Sequence, residues 1–225
     1  MSRVAVAPLA VCVLTRLLGQ DPVRTLPGNY SLEFENAAVR VVRAHYGPHE
    51  KLPVHEHSRF PTVYVYLADS PPVRFRHEEA KPFELVRPAL KQGTYRVSPG
   101  RREVHTVENL GDAPSDFLRV ELKRIPLGIG NLWHRGNHSF DLTQSSATVE
   151  YSRPQLEIER IICAGPDACE VVKRHGASLL VALSAVRLGN SELKTGDVQW
   201  LAAGQTARVS SRNQTVHALR ILLPE

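Results

Sequence analysis

Gly47-Pro48-His49-Glu50-Lys51-Leu52-Pro53-Val54-His55-Glu56-His57, followed by Thr62-Val63-Tyr64-Val65-Tyr66-Leu67, is the stretch from which the rest of this 225-residue chain can be read. In a strand, residues two apart point to the same side, so the imidazoles of His55 and His57 project together as a ready pair of metal ligands. The β-branched and aromatic run from Thr62 to Leu67 has the composition of a strand. If the alternation runs on through Phe60 and Pro61, then Thr62, Tyr64 and Tyr66 share the face of the two histidines, and Val63, Val65 and Leu67 pack on the other. Pro61 is the residue able to break that phase. A third histidine belongs with these: Gly93, five residues, Pro99-Gly100, then His105, three residues and Asn109.

Together the two stretches resemble the paired motifs of the cupin superfamily, a Gly then His-x-His then Glu in the first, and Gly-x5-Pro-x-Gly then His and Asn in the second. The chain departs from that pattern in three places. Its first Gly stands two residues further from the histidines, Gly100 follows Pro99 directly, and the place of the Glu falls at about Thr62, beside Pro61, where there is no carboxylate. The resemblance implies an all-β fold of double-sheet jelly-roll barrels, with His55, His57 and His105 as metal ligands.

Composition sets the outer bounds. The chain is long enough for one large domain or two small ones, and its many Pro and Gly favour short strands and turns. A net charge of +5 is spread over scattered Lys and Arg without a basic run interleaved with aromatics, which argues against nucleic-acid binding. Met1-Ser2-Arg3 and the apolar Val4 to Leu14 resemble a secretory signal peptide over residues 1–20, too short to span a bilayer. Its alternative is a first strand or short helix packed on the barrel. With the signal, the protein is periplasmic or secreted; without it, cytoplasmic. If Cys12 leaves with the signal, Cys163 and Cys169 remain, either as a disulfide across a turn or as two free buried thiols.

Along the chain, residues 21–29 read as an extended Pro-rich arm, and Tyr30 to Glu35 and Val39 to Tyr46 as strands. His77 to Pro88 reads as a charged surface excursion. A closing strand from Phe117 to Leu122 completes an N-terminal barrel over residues 21–125, and residues 126–146 form a connection. Residues 147–225 then repeat the first half weakly: Ile161 to Pro166 parallels Ala44 to Pro48, Leu179 to Leu183 the strand after the histidines, Gly196 to Gly204 the second motif, and Ala218 to Leu223 the closing strand. The expectation is two tandem cupin barrels, a bicupin. Counting from Gly165-Pro166 puts Lys173 and His175 where His55 and His57 stand, and Arg208 or Val209 at the place of His105, so the second barrel lacks ligands.

Three neutral imidazoles suit one divalent transition metal, whether Zn, Fe, Mn, Ni or Cu. The competing reading is three barrel histidines hydrogen-bonded to neighbours. Tyr64 and Tyr66 are candidates to assist at the metal, or barrel aromatics; Arg96 and Arg119 could orient a carboxylate. Strand parity turns Glu56 away, and His49 and Glu50 sit in the preceding loop. His134 and His138 stand four apart among Gly and Asn that favour a loop, and the sequons at Asn29, Asn137 and Asn213 are too short to mean much. Two functions follow: a small-molecule metalloenzyme such as an oxygenase, or a non-catalytic ligand-binding or structural bicupin of the cell envelope. Substrate and assembly, a homodimer included, are open at this point.

Overall fold

A computed structural model describes residues 21–126, 134–135, 139–165, 169–171, 175–211 and 214–223. The region of the expected signal peptide, with Cys12, and Lys173, His138, Asn137 and Asn213 lie outside the described residues.

The first barrel starts at α1 (Pro22–Thr25) and is built from β1 (Tyr30–Glu35), β2 (Val39–Tyr46), β3 (Lys51–His57), β4 (Thr62–Tyr66), β5 (Val73–His77), β6 (Phe83–Arg87), β7 (Tyr95–Ser98), β8 (Glu103–Asn109) and β9 (Ser115–Leu122). Two antiparallel sheets face one another: a large one in the order β1-β2-β9-β4-β7, extended by β10 (His134–Arg135), and a small one in the order β3-β8-β5-β6. The second barrel repeats the scheme. β11 (Ser146–Arg153), β12 (Leu156–Cys163), β14 (Ala177–Ala182), β17 (Val198–Leu201) and β19 (Val216–Leu223) form its large sheet. β13 (Cys169–Val171), β15 (Val186–Leu188), β16 (Ser191–Leu193) and β18 (Ala207–Ser210) form its small one.

Period-two alternation decides where each side chain goes. From β4 and its neighbours, Val63, Val65, Val97, Leu118 and Val120 point out of the first barrel and join Ile158, Leu179, Val181, Leu219 and Ile221 from the second. All ten are fully buried, so the two large sheets share a core and neither is left with a wet apolar face. The opposite faces fill each barrel: Tyr30, Tyr46, Tyr64, Tyr66, Phe75 and Phe117 in the first, and aliphatic residues such as Leu180, Val209 and Val216 in the second.

Three expectations need correcting. The arm before β1 contains a one-turn helix, because Asp21 caps it through its side chain to the Val23 amide and Pro22 fits its first turn; Val23 and Leu26 then pack on the barrel. The surface excursion contains β6, which pairs with β5 from Val73↔Arg87 to His77↔Phe83 and draws His77 inside. His134 belongs to a short strand beside β7 and not to a loop.

Candidate metal centre

His55 and His57 end β3, whereas Tyr64 and Tyr66 lie on β4 in the other sheet. Residues 58–61 carry the chain across, so the phase does not run on through Pro61. The tyrosines face the histidines from across the lumen instead. Gly100 explains why the crossing is tight: at φ +82°, a Cβ there would stand 2.4 Å from the Arg59 carbonyl and 2.5 Å from the Pro61 nitrogen. The second motif's glycine therefore packs directly on the end of the first motif.

On the small sheet, register assembles the site. His55 stands opposite His105, and His105 opposite His77, so three imidazoles form one row across β3, β8 and β5. In the next row His57 stands opposite Glu103. A bulge between Leu52 and His55 sets this phase, spending Pro53 and the exposed Val54 so that both histidines turn inward. The His55 Nδ1 donates to the Pro53 carbonyl at 2.9 Å within that bulge, leaving Nε2 as the acceptor nitrogen.

His55, His57 and His105 are all buried, with one nitrogen of each within 4.8 Å of the others. Among the described residues they are the one such group of potential ligands. His57 Nε2 and both nitrogens of His105 have no hydrogen-bond partner among the described residues. Among the described residues, then, the hydrogen bonds that an ordinary barrel role would give these rings are incomplete for two of the three. Burial pushes all three below the usual imidazole range, furthest for His57 and His105, with Arg119 acting in the same direction. Neutral, unpartnered imidazoles are the form that ligates a metal, so the residues fit one.

Facing them is a row across the large sheet in which Arg96, Tyr64 and Arg119 stand side by side on β7, β4 and β9. The Tyr64 hydroxyl donates to Glu103 at 3.2 Å, and Arg119 Nη1 donates to the Tyr64 oxygen at 3.1 Å and to Glu103 at 3.4 Å. Burial alone would raise the Glu103 carboxyl, but the cations beside it, Arg119 first and then Arg96, hold it down at about 2. Behind the histidines, Tyr46 and Tyr30 form a chain, their hydroxyls 2.9 Å apart and that of Tyr30 2.9 Å from His55 Nε2. The cavity enclosed between the two rows holds about 20 Å³, a little more than one water needs.

Sequence reasoning placed the three histidines and missed Glu103, Tyr30 and His77. Glu103 carried a signal, since it stands two residues before His105 as His55 does before His57. Glu56 turns outward to Arg102 at 2.9 Å, as parity requires. Glu50 caps the Gly47 amide at 2.6 Å and binds Asn29, while His49 pairs with Asp112, so neither reaches the site. Asn109 is a clamp, its amide donating to the carbonyls of Tyr46, Gly47 and Ala113. Tyr66 lines the cavity as a ring. In the second barrel His175 is exposed and Val209 is core.

No family model and no curated protein matches this sequence. Solved structures do share its fold. The protein YhaK from Escherichia coli aligns over 88% of this chain and 92% of its own, with a TM-score of 0.59 at 14% identity. Bacterial pirin YhhW from Escherichia coli, solved in complex with nickel(II), aligns over 87% of this chain and 90% of its own, with a TM-score of 0.60 at 12% identity. The fold is a pair of cupin barrels. Oxalate decarboxylase from Bacillus subtilis, as a tryptophan-to-tyrosine variant, aligns over 90% of this chain and 71% of its own, at TM-score 0.56 and 11% identity. At such identities the likeness is one of fold, and the bicupin's chemistry has to be argued from its own residues.

Proposed function

We propose that the first barrel holds one divalent transition metal on His55, His57 and His105, and that this bicupin is a small-molecule metalloenzyme, an oxygenase in the first instance. The observation that carries this is the trio of buried, neutral imidazoles, two of them with unpartnered nitrogens, gathered within 4.8 Å. A metal bound there supplies Lewis-acid or redox chemistry at the positions the protein leaves open. The metal named for the nickel(II) complex of YhhW makes nickel one candidate among Zn, Fe, Mn, Ni and Cu.

The surrounding side chains have separable tasks. Glu103 is the carboxylate of the lumen, kept ionised and fixed by Tyr64 and Arg119, so it presents a fixed negative charge and hydrogen-bond acceptor to a ligand without swinging. The Tyr64 hydroxyl is committed to Glu103 and assists by positioning it. Phe75, Tyr66 and Phe117 narrow the cavity and exclude bulk water. Oxygen uptake and product formation, measured across small organic acids and phenols with metal-loaded wild type and His57→Ala, test the enzyme reading. Metal-dependent turnover lost in the variant supports it, and a metal-loaded protein without turnover on any of them contradicts it.

The smallness of the cavity favours a second reading, a non-catalytic ligand-binding or structural bicupin of the cell envelope. Cys163 and Cys169 are joined as a disulfide, which supports placing the mature chain in an oxidising compartment outside the cytoplasm. No helix of the described residues is long and apolar enough to cross a membrane.

A further inference from the structure

Charge in the metal cavity does not balance. Its lining contains three guanidiniums, Arg87, Arg96 and Arg119, against one carboxylate, Glu103. Arg119 is accounted for, since Nη1 binds Tyr64 and Glu103 and Nε lies 3.8 Å from the buried Glu121. Glu103 is accounted for as well: one oxygen takes Tyr64 and Arg119, and the other lies 3.9 Å from Arg101. That leaves Arg96 and Arg87 without an acid of their own among the described residues that line the cavity.

Arg96 is the sharper case. It is 7% exposed, and its Nε and Nη1 find no acceptor among the described residues. Its guanidinium carbon lies over the Tyr64 ring, 3.8 Å from the centroid, with that of Arg119 5.0 Å from the same ring. The ring face recovers only part of the hydration that a buried guanidinium gives up, and two of its nitrogens remain without an acceptor among the described residues. Arg87 reaches the same cavity from the edge strand β6 across the Phe75 ring, half-buried, bordering both the lumen and solvent. A divalent metal on the histidines would deepen the positive excess.

We infer that the cavity is a carboxylate-binding site, in which Arg96, with Arg87 at its rim, takes one carboxylate group of a small organic acid opposite the three histidines. With Nε and Nη1 unpartnered among the described residues, the Arg96 guanidinium keeps donors for the two oxygens of a planar carboxylate, Nη2 completing the fork with either of them, a geometry that lysine does not reproduce. The cavity is narrow, about 20 Å³, so the acid that reaches Arg96 has to be small. This names a substrate class for the metal site, and rests on the metal reading only for what stands opposite the arginines.

The test is calorimetric titration of acetate and pyruvate, with acetamide and methyl pyruvate as neutral counterparts, into metal-free and Ni(II)-loaded protein. Wild type binds the two acids and not their neutral counterparts in both forms, more tightly with metal. Arg96→Gln weakens acid binding by about tenfold or more, with nickel content unchanged and the melting midpoint equal or higher, because an uncompensated cation has been removed. Arg96→Lys keeps the charge, loses the fork and falls between. Arg208→Gln, exposed on the second barrel, changes nothing. Should Arg96→Gln not fold, Arg96→Lys and Arg87→Gln carry the test. Acid binding that is absent from both forms of wild type, equal for the neutral compounds, or undiminished by the Arg96 and Arg87 variants overturns the inference. A failed metal reading looks different: wild type takes up no nickel, yet metal-free protein still binds the acids through Arg96.

Discussion

The phenolic oxygen of Tyr30 lies 2.9 Å from Nε2 of His55. Because Nδ1 of the same ring donates to the Pro53 carbonyl, Nε2 carries the lone pair and the Tyr30 hydroxyl is the donor, with Tyr46 donating to it in turn. Burial raises both phenols well above their ordinary range, so both keep their protons. A metal on His55 Nε2 must displace that hydroxyl. Tyr30→Phe removes the competitor, a hydrogen bond contributing about 1 kcal/mol net, and metal affinity should rise about fivefold. Metal titration of the apo-protein checks this; an affinity that falls instead would make Tyr30 a ligand and not a competitor.

Acid should destabilise the metal-free protein over a defined window. His217 is pushed down to about 3, first by burial and then by Arg160, whose Nη1 lies 2.6 Å from its Nε2. An unfolded histidine titrates near 6.5, so the unfolded chain takes up protons that the fold refuses, and stability falls as pH drops from about 6.5 towards 3. Glu103, held at about 2 against 4.5 when free, adds a second loss between 4.5 and 2, since its ionised form is the one the fold favours. Urea unfolding at intervals from pH 8 to 3 should show a monotonic decline beginning near 6.5. A flat profile down to pH 4 contradicts the assignment.

Gly93 is where the barrels meet. It sits at φ +78°, its carbonyl accepts from Arg160 Nη2 at 3.0 Å, and a Cβ added there would stand 2.7 Å from His217 Cε1. Gly93→Ala should cost about 1–3 kcal/mol, from the left-handed backbone and the displaced ring together. Chemical denaturation measures it, and a neutral substitution would mean that the joint is loose.

Cys163 and Cys169 should resist a thiol reagent in the folded, non-reduced protein and react only after reductant is added. Two reactive thiols without reductant would remove the bridge, and with it the support for an oxidising compartment.

The fold was legible where a single period governed. Val63, Val65 and Leu67 alternate with Tyr64 and Tyr66, and the structure puts the first set between the barrels and the second in the lumen. The histidine trio was legible from spacing, because strand parity and the resemblance of the paired motifs agreed. What sequence could not supply was register between sheets. Nothing near His77 announces that β5 will lie beside β8, and Tyr30 meets His55 only because β1 closes over β3 from another sheet. The break at Pro61, which the sequence left open, has the same origin, since a chain that leaves one sheet for the other resets its phase.

Metal content of the purified, untagged protein, expressed without added metal, tests the central claim most directly. Elemental analysis of wild type beside His57→Ala, His105→Ala and, as control, His175→Ala should find near-stoichiometric Zn, Fe, Mn, Ni or Cu in wild type and in His175→Ala, and neither site variant should retain it. Wild type that carries no metal and takes up none on titration, or His57→Ala and His105→Ala that keep it, would contradict the account.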